Sequence, residues 1–222
     1  MSVPSSTYRP PPDAGLDIRH LDDDLLVVDK PAGLLSVPGR GPGKQDCLSA
    51  RVQARYPEAL PVHRLDLGTS GLLVLARNPD IHRALNRLFA TRRVDKRYVA
   101  LVAGRMAAGE QVIELPLICD WPNRPRQRVD HAIGKPSRTR LHVAGYEPGR
   151  EATRVDLFPE TGRSHQLRVH LQAIGHPILG DEFYAPPEVF ARAPRLLLHA
   201  AFLGFIHPST ATMLGVESPA PF

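Results

Sequence analysis

The hydrophobic positions of the chain fall into short runs that predict strands. The runs Leu25–Val28 and Leu72–Ala76 are continuously apolar, which is typical of strands buried on both faces. Further strands are predicted at 96–103, 111–115, 139–146, 153–158, 196–199 and 202–206. Every apolar run is far shorter than the roughly 20 residues of a membrane-spanning helix, so the pattern predicts no bilayer span.

Three other segments have the spacing of amphipathic helices. The clearest runs from about Asp80 to Arg92, with one apolar and one basic face. A second is predicted from an Asp46 cap to about Tyr56, and a third from about Arg163 to Ile174. Because strands outnumber helices and occur partly in runs, the pattern favours an α+β fold over regular βαβ alternation.

Length and termini place these elements in one main domain. The chain has 222 residues, enough for one full core, and 1–20 is predicted to be an N-terminal arm because it is rich in proline. That arm lacks the basic start and apolar stretch of a secretory signal, which predicts a cytoplasmic protein. Cys47 and Cys119 are predicted to be reduced, buried small residues.

Positive charge is concentrated in the middle of the chain. The net charge is −1 over residues 1–80, +8 over 81–170 and −2 over 171–222. Arginines outnumber lysines 24 to 4, and the planar guanidinium suits phosphate contacts and base stacking. A biased codon usage could explain that ratio but not the clustering, so a polyanion, nucleic acid first, is the predicted partner.

The segment from Pro116 to Arg140 carries six basic and two acidic residues. It is predicted to be either a solvated loop or a strand pair that lies on a phosphate backbone. Trp121, the only tryptophan, could stack on a base, but a lone tryptophan is more often part of the core. We therefore rank the core position of Trp121 ahead of the stacking position.

Several kinds of chemistry lack their sequence motifs. His165 and His170 are five residues apart, and HExxH, GxxxxGK[ST], GxGxxG and GxSxG patterns are all absent. These absences disfavour a zinc deaminase and give no support to the binding of a nucleotide cofactor.

Two polar clusters remain as candidates for catalysis. The first, HRLDLGTSG, places Asp66 in a glycine-containing turn that leads into a strand, where the carboxylate could equally well cap the turn. The second, TGRSHQLRVHL, begins a predicted helix, where the polar residues could simply form a cap and a basic face. Spacing alone favours the structural roles.

The two clusters together with three further segments resemble the RluA family of pseudouridine synthases. The resemblance lies in HRLDLGTSG at 63–71, KRYVA at 96–100, TGRSHQLRVHL at 161–171, GHPILGDEFY at 175–184 and LLLHA at 197–201, and it covers roughly 21–222. It implies a pseudouridine synthase fold, with a mixed, largely antiparallel sheet, flanking helices and a central RNA-binding cleft. Residues 21–222 would then form the catalytic domain.

The resemblance also implies roles for individual residues. Asp66 matches the catalytic aspartate, Tyr98 matches a tyrosine that stacks on the uracil near its C5 proton, and Arg163 is the candidate to hold the Asp66 carboxylate. Arg64 would fill the space of the flipped uridine or grip its displaced phosphate, and Leu198 would either form the apolar floor beneath the base or, equally, pack in the core. The isomerisation that the resemblance implies needs neither a metal nor a cofactor.

Other residues are candidates for RNA binding or turn shape. His63, in the same motif, is counted with the substrate-binding residues, although we expect it mainly to shape the turn, as with Thr69 and Ser70. The basic segment adds Arg124, Arg126 and Arg128 as candidate RNA contacts.

The compact length and the segment LICDWPNRPRQ are similar to the dual-specificity members of that family. This likeness implies a stem-loop uridine in 23S rRNA, in a tRNA anticodon arm, or in both, modified by a monomer without a protein partner. Two other functions stay open from the residues themselves. One is a catalytically silent RNA-binding protein, and the other is a nucleosidase or glycosidase, which would need a second carboxylate beside Asp66.

Overall fold

The computed structural model describes residues 8–222. Its twelve strands are β1 (Asp17–Leu21), β2 (Leu25–Lys30), β3 (Leu60–Pro61), β4 (Ser70–Ala76), β5 (Asp95–Ala103), β6 (Glu110–Glu114), β7 (Leu117–Cys119), β8 (Gln127–Val129), β9 (Arg138–Glu147), β10 (Ala152–Pro159), β11 (Leu198–Ile206) and β12 (Met213–Glu217). Its four α-helices are α1 (Leu48–Gln53), α2 (Pro79–Ala90), α3 (Gln166–Ala173) and α4 (Pro187–Phe190). Within the described residues, no helix has the length and apolar character to cross a membrane.

Ten of the strands form one mixed sheet in the order β1-β2-β4-β11-β5-β10-β9-β6, with β3 beside β4 and β12 beside β11. The pairing of β4 with β11 is parallel, and the other pairings in the described chain are antiparallel. This confirms the predicted α+β fold with a largely antiparallel sheet. Strands β7 and β8 form a separate hairpin.

Helices on both faces of the sheet bury strand β4. Leu72 and Val74 pack in a cluster with Leu85 of α2, whereas Leu73 and Leu75 pack in a cluster that contains α1. All seven residues of β4 are buried, as its continuous apolar sequence predicts. Strand β4 follows directly after the loop of the first polar cluster, so the buried strand fixes the position of that loop.

Several predicted boundaries differ from the structure. The arm was predicted to reach residue 20, but Asp17–Leu21 already pairs with β2 as an edge strand, and residues 1–7 of the arm lie outside the described residues. The cap predicted at Asp46 is wrong, because the Cys47 Sγ accepts from the Ala50 amide while Asp46 pairs with Arg51.

The last predicted strands and the third helix also differ. The two strands predicted at 196–199 and 202–206 are one strand, β11, with an irregularity between Ala200 and Phe202. Helix α3 starts at Gln166 instead of Arg163, because His165 has a positive φ of 53° and keeps the preceding residues in a loop.

Candidate active site

The loop that carries Asp66 is tied to its surroundings on both sides of the carboxylate. The Ser36 hydroxyl donates to the Leu65 carbonyl at 2.8 Å and accepts from the Leu65 amide at 3.0 Å. The Leu67 carbonyl accepts from the Gly33 amide at 2.8 Å and from the Lys30 ammonium at 3.3 Å. Because the backbone is held at both flanking residues, Asp66 has little freedom to move.

Lys30 is a fully buried cation beneath this loop. Its Nζ also donates to the carbonyls of Pro31 and Leu34, at 3.0 and 2.7 Å. Burial lowers the pKa of Lys30 to about 7, and the Asp66 carboxylate opposes that shift. Near pH 7 Lys30 is therefore about half protonated. Its Nζ donates to the loop, and the protonated form adds positive potential behind Asp66.

A glycine allows the close approach of β4 to β11 beyond the Asp66 loop. Gly71 has a φ of 111°, and a Cβ there would lie 2.3 Å from the Ala200 carbonyl oxygen. Only glycine fits this position without displacing the backbone. The parallel pairing of Ser70 with His199 and of Gly71 with Ala200 joins the Asp66 loop to the β11 segment that contains Leu198.

The guanidinium that contacts Asp66 belongs to Arg168. Its Nη1 lies 3.5 Å from the Asp66 Oδ2, and its Nε and Nη2 bind both oxygens of the buried Asp181 at 2.8 and 2.6 Å. Burial alone would lower the pKa of Arg168, but the bonds to Asp181 outweigh that effect and the pKa is raised. Asp181 therefore holds a permanently charged guanidinium against Asp66.

The expected pairing of Arg163 with Asp66 is wrong in the described structure. Arg163 lies in the exposed loop before α3, and its Nε donates to the Pro136 carbonyl at 3.3 Å. It still lines the cavity in front of Asp66. The Arg163 guanidinium is thus available to a ligand. The place beside the Asp66 carboxylate that was predicted for Arg163 is taken by Arg168.

Asp66 faces a cavity of about 120 Å³. Tyr98 and Leu198 from neighbouring strands line it, as the sequence predicted, together with Arg64 and Thr161. Its volume is well below the roughly 300 to 1,000 Å³ of sites for drug-sized ligands, so it suits a single flat ring. Burial, with a smaller contribution from Asp66, raises the pKa of Tyr98, which keeps its hydroxyl protonated.

His165 closes one side of the cavity and is held by Tyr184. The Tyr184 hydroxyl lies 2.7 Å from the His165 Nδ1, and the His165 Nε2 lies 3.9 Å from the Asp66 Oδ1. Burial lowers the pKa of His165 against the opposing effect of Asp66, and burial raises the pKa of Tyr184 to about 12. A neutral tyrosine thus donates to the Nδ1 of a neutral histidine, which turns the remaining ring N–H towards Asp66.

Two candidates from the first motif have different surroundings. Arg64 is exposed at the cavity and has no ion-pair partner among residues 8–222. His63 does not line that cavity, since its ring stacks on Phe89 at 4.6 Å and its Nε2 accepts from the Val74 amide. These contacts support the turn-shaping role of His63, and its contact with the RNA stays a prediction.

The basic segment contains the β7–β8 hairpin, which is separate from the ten-stranded sheet. Arg124 stacks over the Trp121 ring at 4.4 Å, Arg126 lies 5.8 Å from the Phe183 ring, and Arg128 pairs with Asp130 at 2.9 Å. Trp121 is 65% exposed, so the prediction that it belongs to the core is wrong. None of the three arginines lines the Asp66 cavity.

The hairpin is nevertheless joined to the site through one hydroxyl. The Gln127 amide donates to the Tyr184 hydroxyl at 2.8 Å, and that hydroxyl also contacts His165. Sequence reasoning missed Tyr184 and Arg168 as site residues, although both lie in quoted motifs. The sequence signal that could have identified Arg168 is its position. It is a charged residue between the apolar residues Leu167 and Val169 of a helix that packs on the core.

Comparisons with known proteins agree with this geometry. Residues 24–173 match the family described as RNA pseudouridylate synthase. The dual-specificity RNA pseudouridine synthase RluA of Escherichia coli strain K12 is 51% identical over 215 residues, covering 97% of this chain and 98% of the relative. The enzyme of the same name from Vibrio vulnificus is 50% identical over 97% of this chain and 87% of the relative.

The fold gives the same result. The solved structure of human RNA pseudouridylate synthase domain containing 1 superimposes with a TM-score of 0.81 at 31% identity, covering 96% of this chain and 87% of the human chain. Its domain containing 4 counterpart superimposes with a TM-score of 0.73 at 25% identity, covering 92% and 88%. The chain therefore belongs to the RNA pseudouridylate synthase family and is an RNA pseudouridine synthase.

Proposed function

We propose that Asp66 is the catalytic carboxylate and that the enzyme isomerises a stem-loop uridine of 23S rRNA, of a tRNA anticodon arm, or of both. The observation that carries the proposal is the carboxylate of Asp66, held by its loop and by Arg168, at a ring-sized cavity lined by Tyr98.

The reaction itself is an exchange of bonds within one nucleotide. The bond between uracil N1 and ribose C1′ breaks, the base turns, and a bond from C5 to C1′ forms. The C5 proton leaves and N1 gains a proton, so no electrons are transferred to another molecule. An ionised carboxylate next to the ribose serves this chemistry either by attacking C1′ or by taking the 2′ proton.

Arg168 holds that carboxylate in position and places a positive charge beside it. Its Nη1 contacts Asp66 while Asp181 fixes the rest of the guanidinium, so the positive charge is in place before RNA binds. We propose that Arg168 fulfils the role expected of Arg163, and that Arg163 instead contacts the RNA at the cavity entrance.

Tyr98 and Leu198 provide the surfaces for the uracil. The Tyr98 ring stacks on the base, and Leu198, which is almost fully buried, forms an apolar floor. Because its pKa is raised, Tyr98 acts as a protonated hydroxyl beside C5 and not as a standing phenolate.

Arg64 lowers the cost of moving the uridine out of its stack. Its exposed guanidinium at the cavity entrance is free to fill the vacated space or to hold the displaced phosphate. Base flipping costs a few kcal/mol, and such contacts offset part of it.

The substrate is a small folded loop read by the catalytic domain and its hairpin. Arg124, Arg126 and Arg128 provide exposed positive charge for the stem, and the relatives carry dual-specificity in their names. We propose a cytoplasmic enzyme that acts as a monomer.

Release of tritium from RNA labelled at uridine C5 tests the catalytic assignment. Asp66→Asn removes the carboxylate with little change of shape, and we expect turnover to fall by at least about 10²- to 10⁴-fold. Retained binding of the same RNA serves as the control for folding. Turnover close to that of the wild type would contradict the role of Asp66.

The RNA assignment has a separate test. Isolated anticodon-arm and 23S rRNA stem-loops are incubated with the enzyme, and pseudouridine is mapped in total RNA from cells with and without it. We expect isolated stem-loops to be modified. Modification that requires assembled ribosomal subunits would contradict recognition of a small loop.

A further inference from the structure

A second, larger cleft adjoins the Asp66 cavity. It has a volume of about 1150 Å³ and lies between the end of α2, the start of β5 and the end of β10. Residues 159, 161–163 and 96 line both spaces, so the two are continuous. A uridine in the small cavity therefore has its neighbouring nucleotides at the mouth of the larger cleft.

The cleft is rich in positive charge and in aromatic rings. Its charged lining consists of the cations Arg92, Lys96, Arg97, Arg140 and Arg163 and the acids Asp95, Glu160 and Glu217. Two of these acids are engaged by arginines, Glu160 by Arg140 at 3.4 Å and Glu217 by Arg97 at 3.7 Å. Its rings are Phe89, Phe158 and Phe202. Basic side chains interleaved with aromatic rings are typical of grooves that hold single-stranded nucleic acid.

Lys96 occupies the junction between the two spaces. It is partly buried and lines both of them, yet its ammonium has no hydrogen-bond or ion-pair partner among residues 8–222. Burial is the cause that lowers its pKa, and no neighbouring carboxylate, including Asp66, raises it. An ammonium that has lost part of its hydration without gaining an anion is set up to bind one.

The strand geometry determines which anion Lys96 would meet. Lys96 and Tyr98 lie two residues apart on β5, so their side chains share a face about 7 Å apart along the strand. Tyr98 is the residue against which the uracil stacks in the proposed function. A compact charge one strand step from the base would contact the RNA backbone beside the target nucleotide and not the base itself.

We propose that Lys96 binds a phosphate adjacent to the target uridine and directs the flanking single-stranded nucleotides into the larger cleft. This inference rests on the proposed function of the Asp66 cavity. The ligand is the RNA strand on one side of the flipped uridine, with its bases against the phenylalanine rings of the cleft.

The test combines variants of Lys96 with neutral linkages in the RNA. The substrate is a stem-loop, labelled at uridine C5, that the wild type is first shown to modify. Lys96→Met removes the charge, Lys96→Arg keeps it, and Lys44→Met is the matched control, since Lys44 lines neither space. Methylphosphonate linkages are placed one at a time on either side of the target uridine.

We expect Lys96→Met to raise KM about tenfold or more, with a smaller effect on kcat, because a hydrogen bond to a charged group is lost. The slope of log K against log salt is negative, and its magnitude should fall by about 0.7, the value for one phosphate contact to a single strand. Lys96→Arg should restore most of the affinity, and Lys44→Met should change KM less than twofold.

One neutral linkage next to the uridine should reproduce the KM defect in the wild type and add nothing further in Lys96→Met. Equal sensitivity of both proteins to every linkage would overturn the inference, as would an unchanged KM and salt slope in Lys96→Met. Even if a variant misfolds, a wild type that is insensitive to both linkages flanking the uridine would by itself overturn the inference. Failure of the proposed function would look different, since the wild type would then release no tritium from an isolated stem-loop, or Asp66→Asn would release it at the wild-type rate.

Discussion

The Asp66 loop and the β7–β8 hairpin are built in opposite ways although both are expected to contact the same RNA. The Asp66 loop is held by Ser36, Gly33 and the buried Lys30, and its carboxylate meets a guanidinium fixed by Asp181. The hairpin has two three-residue strands, and its tryptophan is largely exposed. Catalysis requires fixed distances, and the firmly held Asp66 loop provides them. Recognition of several RNA loops tolerates adjustment, and the β7–β8 hairpin carries the arginines for it.

The largest expected effect tests the firmly held Asp66 loop. Asp181→Asn removes the buried carboxylate that binds the Nε and Nη2 of Arg168 and leaves only the longer contact with Asp66. We expect the free energy of unfolding to fall by about 3 to 5 kcal/mol, measured by urea denaturation. Turnover should fall as well, because Arg168 then loses its fixed position against Asp66.

Glu182→Gln is the matched control, since it neutralises the exposed neighbouring carboxylate. It should change stability by less than about 0.5 kcal/mol. A loss below about 1 kcal/mol in Asp181→Asn would show that the site does not depend on this buried pair.

The next effect concerns pH and the turn before Asp66. Burial lowers the pKa of His63 to about 3, so between that value and an unfolded pKa near 6.5 the unfolded chain binds more protons. Stability from the neutral ring is thus complete above about pH 6.5 and is lost as the pH falls. At pH 5 the loss from this group is about 2 kcal/mol, at 1.36 kcal/mol per pH unit.

His63→Gln should therefore lose less stability than the wild type between pH 8 and pH 5, by about 2 kcal/mol in urea denaturation. The comparison at pH 8 is the internal control, because it isolates the hydrogen bond to the Val74 amide from the titration. Identical pH dependence of the two proteins would mean that His63 does not titrate in this way.

The contrast between the two regions also explains what could be predicted from the sequence. Strand β4 and helix α2 could be predicted from local patterns. A continuous apolar run predicts the strand, and an i, i+3, i+4 apolar repeat with a basic opposite face predicts the helix. The positions of Asp66, Tyr98 and Leu198 around one cavity agree with the motif resemblance. These features depend on neighbours in sequence or on long motifs.

What could not be predicted depends on where distant segments meet. Arg168 contacts Asp66 because Asp181, thirteen residues later in the chain, binds its guanidinium and fixes it. His165 ends the loop with a positive φ, which delays the helix and leaves Arg163 at the cavity entrance. Trp121 is exposed in the hairpin, which is separate from the main sheet, and residue type alone gives no sign of that.

A smaller effect tests the hairpin. The double variant Arg124→Gln/Arg126→Gln removes two exposed charges. The magnitude of the negative slope of log K against log salt should therefore fall by about 1.4 in RNA-binding titrations. Arg128→Gln should change the slope less, because Asp130 already neutralises Arg128 at 2.9 Å. An unchanged slope in the double variant would place the RNA elsewhere, and circular dichroism of each variant controls for folding.

The smallest effect concerns the single hydroxyl that joins the two regions. Tyr184→Phe removes the acceptor of the Gln127 amide and the donor to the His165 Nδ1, while the ring is kept. We expect a stability loss of about 1 kcal/mol, faster hydrogen exchange at the Gln127 amide, and a higher KM with a smaller change in kcat. Tyr146→Phe, on β9 outside the cavity lining, is the control and should leave that exchange rate unchanged. If Tyr184→Phe left the Gln127 exchange rate and KM at their wild-type values, the hairpin would be positioned independently of the Asp66 site, and the two regions would be adjacent but not coupled.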